Sequence, residues 1–156
     1  MENIHIAILR RGFSWEEVDP AVTEIDGIEY PDDYQNAVDP ITLAVIVGSA
    51  MVLEKLIMRF RNELRGGVVL DLSKKPIELS RNADVPHGIY VIIAADGQEV
   101  KILSKDEPKD SIERMVEGIL SLAVDPAGAT KEKVHEVVDA TIGRQAIADN
   151  TEPTNT

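Results

Sequence analysis

The stretch after Pro40 constrains the fold most, because thirteen consecutive residues, from Ile41 to Leu53, carry no charge. Asp39 and Pro40 suit a helix N-cap and first helical position, and Gly66 suits the C-terminal cap. We therefore predict a helix over residues 40–65. Its first half is apolar on every side, so a core, another subunit or a bilayer must cover it.

Three coverings of this predicted helix remain open. A bilayer requires about 20 apolar residues, and the run is shorter than that, but Lys55, Arg59, Arg61 and Arg65 follow it as juxtamembrane bases do. The covering that the sequence favours is the protein's own core. If a second copy covers the helix instead, the small residues in its first half give a flat patch where another backbone can approach. The candidate interface residues are Ile41, Val45, Gly48, Ser49 and Val52.

Strands are predicted on both sides of this helix. Residues 3–11 alternate isoleucine with other, largely apolar residues, which is typical of a buried strand, and Ser14 with Glu17 fits a capping box for a short helix. Residues 68–80 read as a hairpin. A second hairpin surrounds Asp96-Gly97, a dipeptide that predicts a two-residue type I′ turn.

Two amphipathic helices are predicted after the strands. The first covers residues 110–124, and the second begins after Thr130 as its N-cap. The predicted fold class is therefore α+β: an antiparallel sheet of four to five strands packed against the long apolar helix and the two C-terminal helices. Residues 1–150 are predicted to form one domain and residues 151–156 a disordered tail.

Composition narrows the function classes. The 156 residues include no cysteine, which excludes disulfides and cysteine-based metal sites, and we expect a cytoplasmic location. The formal net charge is −12, which argues against sequence-independent nucleic-acid binding. Residues 1–40 hold ten acidic residues against Arg10 and Arg11. Such acidity is typical of a solvated surface, and it also fits a basic partner.

The sequence contains no recognised catalytic motif. The histidines His5, His87 and His135 are far apart, and no second histidine follows His135 at the spacing of a zinc protease. An Asp84–His87 pair lies in a predicted turn but has no nucleophile in a local motif. Glycine-rich phosphate loops are absent from the sequence. We therefore predict no catalytic residues, no cofactor and no metal.

The order of predicted elements resembles that of the effector-associated constant component domains of bacterial conflict systems. The matching segments are IHIAIL, AVIVGSAMVLEKLIMRFR and VIIAADGQEVKIL, followed by a closing helix, within residues 3–11 and 40–122. No diagnostic motif accompanies the resemblance. It implies a non-catalytic adaptor.

The function predicted from the sequence is a non-enzymatic protein-interaction or adaptor module. Its partner is another protein or a second copy, and self-association through the helix over 40–65 makes it a homo-oligomer. The alternatives are a membrane-associated component that uses residues 41–53 and a small enzyme whose site has no recognised motif.

Overall fold

A computed structural model describes residues 3–31, 40–61, 67–82, 84–86, 88–103, 108–125, 128–142 and 147–148. The predicted tail at 151–156, the proposed caps Asp39 and Gly66, and His87 lie outside these ranges. The elements are β1 (Ile4–Leu9), α1 (Trp15–Glu24), β2 (Thr42–Gly48), α2 (Ala50–Arg61), β3 (Gly67–Asp71), β4 (Ile77–Asn82), β5 (Ile89–Ile93), β6 (Glu99–Leu103), α3 (Lys109–Leu122), α4 (Lys131–Thr141) and β7 (Ile147–Ala148).

The strands form one mixed sheet in the order β2-β1-β4-β3-β5-β6-β7, where β7 contributes only two residues. The α+β class is as predicted, but the antiparallel arrangement and the strand number are wrong. The hairpin of β3 and β4 lies between β1 and β5, so that β4 runs parallel to β1 and β3 runs parallel to β5. The other neighbouring strands are antiparallel.

The predicted long helix over 40–65 is wrong in its first half, because residues 42–48 form strand β2. Strand β2 pairs with β1 over its whole length. A short apolar run cannot be assigned to helix or strand by periodicity alone, and β-branched residues such as Val45, Ile46 and Val47 favour the strand.

Helix α2 starts where β2 ends. Ser49 accepts hydrogen bonds from two amides of the first turn, through its hydroxyl from Val52 (3.4 Å) and through its carbonyl from Leu53 (3.0 Å). The 3–4 spacing of Leu53, Leu56, Ile57 and Phe60 predicts that they share one face, and all four are buried. Lys55 and Arg59 are exposed on the other face, as predicted, but Glu54, predicted beside them, is buried.

All four helices pack on one face of the sheet. On β1 and β4 this covered face carries Ile6, Ile8 and Leu79, which have no exposed surface. Ile57 of α2 and Met115 of α3 meet the covered face of β3 and β5. Helix α4 packs on α3, where Val137 contacts Gly118, and Phe13 before α1 contacts Phe60 of α2 with ring centroids 4.7 Å apart.

The turn at Asp96-Gly97 joins β5 and β6, as predicted, but it is not a type I′ turn. That turn needs positive φ at both central residues, and among the described residues only glycines have positive φ, with Gly97 at +85°. The Ala94 amide donates to the Gln98 carbonyl at 2.8 Å, which closes a three-residue loop with a glycine at its left-handed position.

Replacing Gly97 by alanine should lower the free energy of unfolding by about 1–2 kcal/mol, because the new residue must keep a positive φ. A Cβ at Gly97 would meet no atom within 4 Å, so the loss reports backbone strain alone. Gly128→Ala is the matched control, since Gly128 is not among the positive-φ glycines and its Cβ would make ordinary contacts. Urea denaturation measures both, and equal losses would contradict the assigned turn.

Candidate functional site

The structure divides the five candidate interface residues between β2 and the start of α2. Ile41 is 65% exposed just before β2, and Val45 is half-buried within it. Gly48 is buried at the end of β2, Ser49 caps α2, and Val52 is half-buried on α2. The five residues therefore do not lie along one helix face.

Gly48 contacts the interior of its own chain. A Cβ there would come within 2.8 Å of Val52 and 3.2 Å of the Gly27 carbonyl oxygen. The small residue is thus required because a loop and the first turn of α2 approach the end of β2 closely. Among the five, Ile41 is exposed and Val45, Ser49 and Val52 are half-buried, so only Gly48 has no accessible surface to offer a partner.

The face of the sheet opposite the helices is a second candidate surface, which we call the open face. Side chains alternate between the two faces of a strand, so the open face carries the residues that alternate with the core residues along each strand. Its members are Ala7, Leu9, Val45, Val47, Val69, Val91 and Ile93, with the charged residues Asp71, Glu78, Glu99 and Lys101. The described residues place no helix over it.

Aliphatic side chains on the open face retain accessible surface. Leu9, Val45, Val69 and Ile93 are half-buried, whereas Ala7 and Val91 are buried. These aliphatic side chains form two groups, one on β2 and β1 and one on β3 and β5, because β4 between them carries Glu78 and Ser80 on this face. Apolar surface that no described helix covers is a candidate interaction site. Glu99 and Lys101, which are two residues apart on β6, lie on the same open face.

A buried ion pair joins strand β4 to helix α1. The side chain of Arg81 is 1% exposed, and its guanidinium donates to both carboxylate oxygens of Glu17, at 2.8 and 3.3 Å. It also donates to the Gly12 carbonyl oxygen at 2.8 Å and lies 4.3 Å from the centroid of the Phe13 ring. Glu17 therefore does not complete the predicted capping box with Ser14, whose side chain makes no capping hydrogen bond.

Glu17→Ala should lower the free energy of unfolding by about 3 kcal/mol, because it leaves a buried guanidinium without its carboxylate. Glu24→Ala, on the same helix, is the matched control: it removes the partner of Arg59 in an exposed ion pair, which should cost less than about 1 kcal/mol. Urea denaturation of the two variants decides the matter, and similar losses would show that Arg81 is not held by Glu17.

A single carboxyl group with a raised pKa lies between α2 and α3. Glu54 is 6% exposed. Burial, together with the nearby carboxylates of Glu113 and Glu117 on α3, raises the pKa of Glu54 to about 7, although Lys55 and Lys109 act in the opposite direction. A carboxyl group of this pKa can exchange a proton near neutral pH. Glu54 does not line the cavity beside residues 3–5 or the cavity beside residues 10–14. It also does not line the small cavity beneath Ile57.

Glu54 should make stability fall as pH rises. Folding raises its pKa from 4.5 to about 7. The protonated carboxyl group therefore stabilises the folded state fully below the unfolded-state pKa, and this stabilisation is lost as pH rises through the folded-state pKa. Glu54→Gln should therefore raise the free energy of unfolding by about 1–2 kcal/mol near pH 8 and change it little near pH 5. Denaturation at both pH values tests this, with exposed Glu136→Gln as control; a gain independent of pH would contradict it.

The histidines do not come together around a site in the described part of the chain. His5 lies on β1 and His135 on α4. Among the described residues, no group of three or more His, Asp or Glu side chains is placed to hold a metal ion. None of the described helices has the length and apolar character required to cross a membrane.

No protein-family model, curated protein or solved structure matches this chain. The sequence prediction missed both Arg81 and the open face. The sequence does hold a signal for Arg81: it follows Ile77 and Leu79 at two-residue spacing, so in a strand its side chain lies on the same face as these core residues. The open face does not follow from a helix over residues 40–65, because strand β2 and its pairing with β1 supply Val45 and Val47 to it.

Proposed function

We propose that this chain is a non-enzymatic protein-interaction module and that it self-associates through the open face. The observation that carries the proposal is the accessible aliphatic surface of that face, with Val45, Val69 and Ile93 half-buried and no described helix above them. A second copy would cover these side chains as a helix covers the other face. The adaptor role implied by the resemblance is compatible with such a module.

One charged pair of the open face suits a second copy as the occupant. Glu99 and Lys101 lie on the same face of β6, so a two-fold axis that crosses β6 between them sets Glu99 of each copy opposite Lys101 of the other. The same axis position sets Ile93 opposite Val91 and Asp71 opposite Val69. The pair on β6 therefore sets the orientation of the two copies, whereas the further carboxylates of the face oppose their association.

The available area suits a weak dimer. Six strands about 4.8 Å apart, each contributing about five residues of about 3.3 Å, give a flat footprint on the order of 400–500 Å². Stable complexes bury about 800 Å² of accessible surface on each partner. The open face therefore supports a concentration-dependent association, opposed by the net charge of −12 that both copies carry.

Light scattering and sedimentation velocity across protein concentration test the proposal. We expect a 17.1 kDa monomer in equilibrium with a dimer, and a larger dimer fraction in higher salt because screening weakens the repulsion between copies. The triple variant Val45→Thr, Val69→Thr, Ile93→Thr should remain monomeric at all concentrations. It keeps β-branched side chains, so the strands should still form.

A matched variant tests whether a valine-to-threonine change outside the open face also alters the dimer fraction. Val124→Thr changes an exposed valine after α3 and should leave the dimer fraction unchanged. A wild type that is monomeric at every concentration would overturn self-association. A triple variant that unfolds far more easily than wild type would show that the open face is covered by its own chain.

A further inference from the structure

A cavity of about 550 Å³ lies where the ends of β1 and β4 meet the N-terminus of α1. Its lining includes Arg10, Arg11, Ser14, Arg81 and Asp84. Gly12 at its base has a φ of +87°, and a Cβ there would lie 2.3 Å from the Arg81 carbonyl oxygen. The backbone of the two strand ends is therefore fixed close together beneath the cavity.

Positive charge in this lining is not compensated by the described residues. Arg10 and Arg11 are exposed, and their side chains make no ion pair or hydrogen bond among the described residues. They are the only two basic residues of the first forty. Arg81 is neutralised by Glu17, which leaves two arginines in the lining against the single carboxylate of Asp84.

One hydroxyl group of the lining has no capping role. Ser14 is the N-cap of the ten-residue helix α1, yet its hydroxyl makes no capping bond, whereas its carbonyl oxygen accepts from the amides of Glu17 and Val18. The Nε–H group of Arg81 is buried and has no hydrogen-bond partner among the described residues. Guanidinium groups donate charge-assisted hydrogen bonds to phosphate oxygens, and a hydroxyl group beside them is a further donor.

We propose that this cavity binds the phosphate group of a phosphate monoester, with Arg10 and Arg11 as its charged ligands and Ser14 as a hydroxyl donor. The size of the cavity leaves room for the group that carries the phosphate. Arg10, Arg11 and Ser14 are not members of the open face, so the site does not depend on self-association.

Titration of ¹⁵N-labelled protein with inorganic phosphate, against chloride at equal ionic strength, tests the site. The amide signals of residues 12–17 should shift saturably with phosphate only. In Arg10→Gln/Arg11→Gln the dissociation constant should rise at least about tenfold, or ~1.4 kcal/mol. Both arginines are exposed, so this variant should fold; its circular dichroism and melting temperature verify that.

Lys74→Gln/Lys75→Gln is the control, because it removes two adjacent exposed bases and the same total charge from the β3–β4 turn. It should change the phosphate dissociation constant less than twofold. Equal weakening in both double variants, or no saturable shift in the wild type, would overturn the proposal. Phosphoserine should bind at least as tightly as inorganic phosphate, because the cavity has room for the group that carries the phosphate; weaker binding of phosphoserine would overturn the assignment to a monoester.

Discussion

The Arg81 guanidinium ties four parts of the fold to one another. It belongs to β4, donates to the Gly12 carbonyl after β1, pairs with Glu17 of α1, and faces the rings of Phe13 and Phe60. A charge at 1% exposure is tolerated only when such partners replace its lost hydration. The position of α1 over the sheet therefore depends on a polar contact, in a core that is otherwise largely apolar.

The sequence predicted the elements whose signals are local. Thr130 caps α4 by accepting the Lys133 amide, the Asp96-Gly97 turn joins two strands, and Leu53, Leu56 and Ile57 face the core. Each of these follows from residues within one or two turns of each other. The capping box at Ser14 failed because Glu17 found a stronger, non-local partner in Arg81.

The elements that sequence could not assign depend on which strands become neighbours. An apolar run such as 42–48 is compatible with a buried helix, and only its pairing with β1 makes it a strand. Likewise, nothing local indicates that the β3–β4 hairpin enters between β1 and β5. The open face and the arginine-lined cavity both follow from that arrangement, which is why neither could be predicted.

The insertion of the hairpin also explains why the two candidate surfaces are separate. Because β4 pairs in parallel with β1, both strands end at the same edge of the sheet, and the residues following β1 meet Arg81 and Asn82 there. The cavity thus opens at the ends of these strands, whereas the open face lies across their middle. A ligand at the strand ends and a partner on the open face would contact different side chains of the same two strands. Substitutions can therefore abolish either interaction and leave the other intact.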